Sequence, residues 1–390
     1  MKILIITPSS SIGGVETNVI EHAKELIKNG HEIVLATPTN ILQKYAENIG
    51  ITCLKLPDFR IDTKDKIKNI TQFIKSCSIL NNFTKNSNVD VIHAHASSIS
   101  AWLLGYLVSK KTNKPIVITI HGLHVFEFPA FRLLFKLLYK KTNALIVISD
   151  EIKNYIEDNY GHNDNLFVIY NGINLNEFKS LENEEFPDNK KITIVSRLDS
   201  EKVESILKIL KILPDIIKKY PQIELQIIGD GSHFNKIKKD TNLINEKIDS
   251  IKVYMAGKLE PIDVFNQMYS SYIVIGAGRV AIEGMACNKP VLFISPKYGP
   301  DKTYPKCKTC NSCFNGVLTS ENIEKVKSYN FSGRNCGNFT SKDMIQTLTK
   351  LIQDKEFYNK TKELSYRAIE ELDITKTTNY LEKVYYLVGK

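Results

Sequence analysis

Residues 1–38 read MKILIITPSSSIGGVETNVIEHAKELIKNGHEIVLATP, and the order of their pieces decides the fold. MKILIIT is an apolar run of strand length that ends at Pro8. SSSIGG is a turn, and VETNVIEHAKELIKNG repeats apolar residues at helical spacing until it stops at Gly30. HEIVLATP is a second apolar run. A strand, a helix and a strand in that succession form a βαβ unit, which implies a parallel sheet and a right-handed crossover.

The alternation continues outward from there. VDVIHAH (89–95), a helix around Ala101 to Val108, KPIVITIHG (114–122), a helix reaching Lys141, ALIVISD (144–150) and LFVIYNG (166–172) complete a first half. A polar, acidic stretch, SLENEEFPDNKK (180–191), leads into a second start. There KITIVSRL (191–198) opens a helix, SILKILKILPDIIKKY (205–220), followed by IELQIIGDG, VYMAGKL, YIVIGAG and PVLFIS. From Ser341 the chain reads as two charged helices, the last being NYLEKVYYLVGK. At 390 residues the chain exceeds the size at which one core usually keeps growing. Two α/β halves joined near Gly172 therefore predict two Rossmann-like domains facing a cleft.

Apolar residues make up 43% and charged residues 24%, the balance of a globular protein, which excludes disorder. The net charge of +9 comes mostly from Lys and suits either a solvated surface or an anionic partner. The first residues hold one Lys and a short apolar run broken by Pro8, so they read as a strand rather than a signal peptide. Apolar stretches such as that around Trp102 to Val108 fall short of the roughly 20 residues that span a bilayer. A cytoplasmic protein, peripheral on the inner face of the cell membrane, is expected, with no nucleic-acid partner. FRLLFKLLYKK (131–141) carries four cations and no acid among seven apolar or aromatic residues. Such a helix suits an anionic bilayer surface, or packing on the sheet with its Lys residues exposed.

Of seven cysteines, Cys53, Cys77 and Cys287 sit among apolar neighbours and read as inert core thiols. Cys307, Cys310, Cys313 and Cys336 cluster as C-x2-C-x2-C with a fourth thiol further on. In a reducing compartment that spacing favours a structural zinc or a [4Fe–4S] cluster over disulfides.

Several motifs fall where strands end. SSSIGGVE (9–16) places Gly13 and Gly14 at a strand-to-helix turn, where backbone N–H groups and the helix dipole favour an anion. His93, His95 and His121 fall at strand ends, the edge that faces the ligand crevice in open α/β sheets. The His93/His95 pair is expected on opposite faces of its strand, which speaks against zinc there. SRLDSEK (196–202) supplies Arg197 and Lys202, cations able to take up negative charge on a departing diphosphate. The plainer alternative is a surface ion-pair network with Asp199, Glu201 and Glu204. IGDGS (228–232) adds Gly229 and Gly231. VIGAGRVAIEGMACNKPV (274–291) places Gly276, Gly278 and Arg279 before Glu283, a carboxylate one turn into a helix and so able to accept ribose hydroxyls. That stretch also fits G-x-G-x-x-A, but the acid expected after the next strand of a dinucleotide-binding domain is missing.

In chain order, GGVE, TIHG, SRLDSEK, IGDG and GRVAIEGMACNKPV, with SYNFSGR downstream, resemble the family 4 retaining glycosyltransferases of GT-B fold, and in particular a bacterial subgroup of them. The resemblance covers nearly the whole chain. It implies an acceptor-binding domain over residues 1–171, a nucleotide-sugar-binding domain over 172–365, and a last segment, 366–390, that crosses back to the first. Gly13 and Gly14 match the turn against the donor phosphates, Arg197 and Lys202 the pair that neutralises the diphosphate, Glu283 the ribose-binding glutamate, and His121 a histidine beside the transferred sugar. Gly229, Gly231, Gly276, Gly278 and Arg279 belong to the same donor set, with Glu16, His93 and His95 on the acceptor side. The partners implied are a nucleoside-diphosphate sugar and a glycan or lipid-linked acceptor, as in cell-surface polysaccharide or glycoconjugate assembly. Catalysis is expected to need no cofactor and no metal, since the sequence has no D-x-D pair. Retention is implied by front-face attack assisted by the leaving diphosphate.

The sequence departs from the family pattern at three places. Ile275 stands where a first glutamate is usual, eight residues before Glu283, while Val203 and Asn288 stand where glycine is usual. Two other readings follow: a non-catalytic GT-B module that binds nucleotide-sugar or glycan, and a nucleotide-dependent oxidoreductase with an Fe–S site.

Overall fold

The computed structural model describes residues 1–8, 13–38, 40–60, 66–179, 190–250, 252–294, 314–333 and 340–389. The strands are β1 (Lys2–Ile6), β2 (Glu32–Thr37), β3 (Thr52–Lys55), β4 (Val91–His95), β5 (Ile116–Ile120), β6 (Ala144–Val147), β7 (Leu166–Val168), β8 (Lys190–Val195), β9 (Ile223–Ile228), β10 (Val253–Gly257), β11 (Ile273–Gly276), β12 (Val291–Ile294) and β13 (Phe314–Gly316). The helices are α1 (Gly14–Lys28), α2 (Asn40–Asn48), α3 (Lys66–Asn86), α4 (Ile99–Thr112), α5 (Pro129–Leu138), α6 (Asp150–Tyr160), α7 (Leu175–Lys179), α8 (Ser200–Lys219), α9 (Phe234–Ile248), α10 (Pro261–Tyr269), α11 (Arg279–Ala286), α12 (Ile323–Ser328), α13 (Ser341–Gln353), α14 (Lys355–Ile369) and α15 (Ile374–Val388). The chain divides into two compact units, Met1–Asn174 with Leu372–Lys390, and Leu175–Glu371.

The first unit is a parallel sheet in the order β3-β2-β1-β4-β5-β6-β7. Its central strands are buried along their length, as in β4 and β5, because helices cover both faces. That is why these strands are unbroken apolar runs rather than alternating ones. The second unit is a sheet in the order β10-β9-β8-β11-β12-β13, parallel except for the short β13, which runs antiparallel to β12. As expected from the sequence, both are Rossmann-like α/β domains.

The end of the chain belongs to the first unit. Ile173 donates its N–H to Leu372 O at 2.8 Å, and Ile374 donates to Ile173 O at 2.9 Å. Gly172 sits beneath this contact: a Cβ there would come within 2.4 Å of Thr377 Oγ1 and 2.5 Å of Ile374 Cδ1. Its N–H donates to Asn18 Oδ1 at 3.0 Å, which ties the same point to α1.

Past Ser341 the sequence was expected to give two helices; the structure has three, α13, α14 and α15. Asp354 is the reason for the first break. It closes α13, and its side chain then accepts the Phe357 N–H at 2.9 Å, capping α14. Asp373 repeats the device for α15 through the Thr375 N–H at 2.9 Å. Among the described residues, no helix is long and apolar enough to cross a membrane.

Candidate active site

In each sheet the strand order reverses once, and ligands of open α/β sheets bind beyond the C-terminal strand ends at that point. In the second unit the reversal lies between β8 and β11. Two loops leave the sheet there, 196–199 and 277–278.

The 196–199 loop explains the neighbouring glycines. Leu198 N–H donates to Asp230 O at 3.0 Å, and His233 N–H donates to Leu198 O at 2.9 Å, so the turn after β9 lies flat on it. A Cβ on Gly229 would stand 1.8 Å from Ser196 O, and one on Gly231 would stand 2.7 Å from Leu198 C. Both glycines also have positive φ, 143° and 156°. Their presence thus has a packing cause that operates without any ligand. Arg197 projects outward with 72% of its side chain exposed, and its Nη1 is 3.8 Å from Asp199 Oδ2. Asp199 precedes α8, in whose first turn Lys202 lies, half-buried. Val203, which stands where the family pattern has glycine, packs into the core of the unit.

The 277–278 loop feeds α11. Gly278 takes φ 60°, donates its N–H to Phe331 O at 2.7 Å, and offers no side chain to cap the helix. Gly276 has Val280 against it, 2.3 Å from where a Cβ would be. The first helical residue is Arg279, a cation at the positive end of the helix dipole. Its Nε donates to Glu283 Oε1 at 2.8 Å, and both side chains are largely buried. No acid lies in the first turn of this helix, so its dipole leaves this end electropositive. Cys287 follows one turn later, its thiol pushed up by burial and then by Glu283. Asn288 adopts φ 56°, a left-handed conformation that asparagine tolerates, so the chain turns there without the usual glycine. Ile275 lies wholly buried in β11.

In the first unit the reversal lies between β1 and β4. Gly13 and Gly14 begin α1 beyond β1, but this helix end is occupied from within. Glu16, buried, accepts the Gly13 N–H through Oε2 at 2.9 Å. The carboxylate expected on the acceptor side thus caps its own helix.

His93 and His95 end β4, and His121 follows β5. The expectation that His93 and His95 point to opposite faces is wrong. Residues two apart on a strand share a face, and the two rings lie 4.3 Å apart between centroids. His95 Nδ1 is 2.8 Å from His121 Nε2, with the rings stacked at 5.1 Å. His93 stands 2.6 Å from Tyr385 Oη through Nδ1 and 2.7 Å from Thr119 Oγ1 through Nε2. A neutral imidazole satisfies such a pair by donating through one nitrogen and accepting through the other. Burial, followed by the His121 and His22 charges, lowers His93 to about 3. Burial, followed by His124 and His22, lowers His121 to about 3, and His95 is likewise held well below the ordinary range. All three are neutral at pH 7. His121 Nδ1 has no hydrogen-bond partner among the described residues.

The sequence reading missed the groups that complete this cluster. His22 of α1 lies 2.9 Å from Thr378 Oγ1, and Tyr385 reaches in from α15. Asn18, His22, His93, His95, Thr119 and Tyr385 contribute to the walls of a cavity of about 20 Å³. Among the described residues, no three His, Cys, Asp or Glu side chains are arranged to hold a metal ion. Cys307, Cys310, Cys313 and Cys336, expected to bind zinc or an Fe–S cluster, lie outside the described residues.

Two Rossmann-like domains with polar groups gathered at both switch points make this a protein of GT-B fold. The chain is a glycosyltransferase of the family 4 and group 1 type: residues 12–177 match Glycosyltransferase Family 4, and residues 176–327 match Glycosyl transferases group 1. It is 26% identical over 361 residues to an uncharacterized glycosyltransferase of Methanocaldococcus jannaschii, covering 83% of this chain and 87% of that one. It is 23% identical over 311 residues to the alpha-monoglucosyldiacylglycerol synthase of Streptococcus pneumoniae, covering 72% and 68%. Among solved structures it resembles Anabaena HepE in complex with UDP and glucose, with a TM-score of 0.69, 17% identity and 98% of each chain covered. It also resembles a Rickettsia africae glycosyltransferase, with a TM-score of 0.72, 20% identity, and 100% and 98% covered.

Proposed function

We propose that this chain transfers a sugar, with retention, from a nucleoside-diphosphate donor to a glycan or lipid-linked acceptor, as in cell-surface polysaccharide or glycoconjugate assembly. The observation that carries the reading is the start of α11: an uncapped, electropositive helix end at a sheet switch point, with the Glu283 carboxylate fixed one turn behind it. An anion at the helix end meets the positive end of the dipole, while Glu283 accepts ribose hydroxyls. Arg197 and Lys202, from the adjoining loop and helix, take up the charge that builds on the diphosphate as the anomeric bond breaks. The family resemblance assigns Gly13 and Gly14 to the donor phosphates as well. The acceptor oxygen attacks from the face the diphosphate leaves, and the departing oxygen receives the acceptor's proton. No metal takes part in that step. His121 lies beside the transferred sugar as a neutral hydrogen-bonding group, with His93, His95 and Glu16 on the acceptor side.

Purified protein incubated with UDP-, GDP- and ADP-sugars tests the reading. Nucleotide release that is lost in Glu283→Ala and in Lys202→Ala supports it, and the anomeric configuration of the product, read by NMR, tests retention. Nucleotide binding without release from any donor overturns it in favour of a binding module.

A further inference from the structure

Helix α5 divides into three stripes. Phe131, Phe135 and Leu138 are buried and form one face. Trp102, the chain's single tryptophan, meets Phe131 and Phe135 edge-on, with centroids 5.8 and 5.3 Å away. Phe126 and Tyr139 close around the same rings, so the helix is held firmly from below.

At about 100° per residue, Leu133 and Leu137 lie roughly opposite that face. They are 62% and 55% exposed, and Phe128, just before the helix, is 62% exposed. Arg132 and Lys136 form the stripe between, and Lys140 and Lys141 follow the helix, both exposed. From Phe128 to Lys141 there is no acidic residue.

We propose that this face docks the protein on an anionic phospholipid bilayer, with Phe128, Leu133 and Leu137 entering the headgroup region and the cations meeting lipid phosphates. Large apolar side chains on a helix packed from below, with four cations against a single neighbouring acid, Glu127, match a surface that is apolar within and negative at its rim. A soluble partner would have to supply both features in one patch; an anionic bilayer offers them everywhere. The inference is independent of the donor chemistry, although it would bring a lipid-linked acceptor to the enzyme.

Sedimentation of the full chain with vesicles of phosphatidylcholine, alone or mixed with phosphatidylglycerol, tests it. Binding is expected only with phosphatidylglycerol present, and it should weaken as salt rises. Lys136→Gln should lower partitioning about fivefold, corresponding to about 1 kcal/mol per basic residue near such a surface. Phe128→Ser/Leu133→Ser/Leu137→Ser should lower it at least tenfold, a floor that even one fully inserted side chain would reach. Trp102 fluorescence should be unchanged in both variants, since the substituted side chains lie away from the buried face. Absence of binding to either vesicle, or unchanged binding by the triple variant, overturns the proposal. A wild-type dimer that the triple variant converts to monomer, with no vesicle binding by either, would make the face a self-association seam instead.

Discussion

Helices α1 and α11 begin alike, each after a strand and a glycine turn at a sheet switch point, yet their ends are electrostatically opposite. The α1 end is filled by the protein itself, because Glu16 reaches back to Gly13 and brings a negative charge to the positive end of the dipole. At the α11 end a cation stands first, the N-cap offers no side chain, and the carboxylate of Glu283 lies a turn away, held by that cation. A glycine turn before a helix therefore does not by itself make an anion site. What decides is whether the first turn carries its own acid.

The glycines differ as sharply, and substitution should expose the difference. Gly229→Ala places a Cβ against the Ser196 carbonyl at 1.8 Å and at φ 143°, so the second unit should lose about 4 kcal/mol or fail to fold. Gly13→Ala meets only the end of the Glu16 side chain, at 3.2 Å, and should cost less than about 1 kcal/mol. Thermal unfolding of the two variants gives the contrast; equal losses would break it.

Acid should separate the units next. His93 and His95 have folded-state values below the ordinary 6.5, so below that pH the unfolded chain binds more protons than the folded one. Their contribution is complete above pH 6.5 and falls as pH drops toward 3, by about 2 kcal/mol for each residue by pH 5. Urea unfolding at pH 7 and pH 5 should show the first unit weakening, with the loss reduced in His93→Gln. A pH-independent midpoint would contradict the buried, neutral cluster.

Glu16→Gln should act more weakly than acid does. Loss of the charged cap should cost the first unit about 1 kcal/mol. The same change removes a negative charge beside the turn proposed to face the donor phosphates, so the KM for donor should fall severalfold. A rise in KM would mean that Glu16 itself holds the donor.

The fold was legible because the central strands of a parallel sheet are buried on both sides and leave unbroken apolar runs. Edge strands leave no such mark: β3 is TCLK, half-exposed, and β13 is three residues, FNG. The division of the C-terminal segment hung on Asp354 and Asp373, which read as two more charges in a charged helix. In the candidate site, the residues around Glu283 were readable because they lie close together in sequence. The partners of His22 and His93 were not, since Thr378 and Tyr385 stand 356 and 292 residues away and arrive only when α15 returns to the first unit. The role of Glu16 was available and overlooked: a glutamate three residues after Gly13 has the spacing of a capping residue.

The central claim is that α11 starts an anion site backed by a ribose-binding carboxylate. Calorimetric titration of UDP, GDP and ADP into the wild type and Glu283→Ala tests it directly. One nucleotide should bind the wild type, and the variant should bind it about 100-fold more weakly, as expected for losing two charge-assisted hydrogen bonds, while still unfolding cooperatively at a midpoint lowered by loss of the Arg279 pair. Equal affinity in a folded variant would contradict the account.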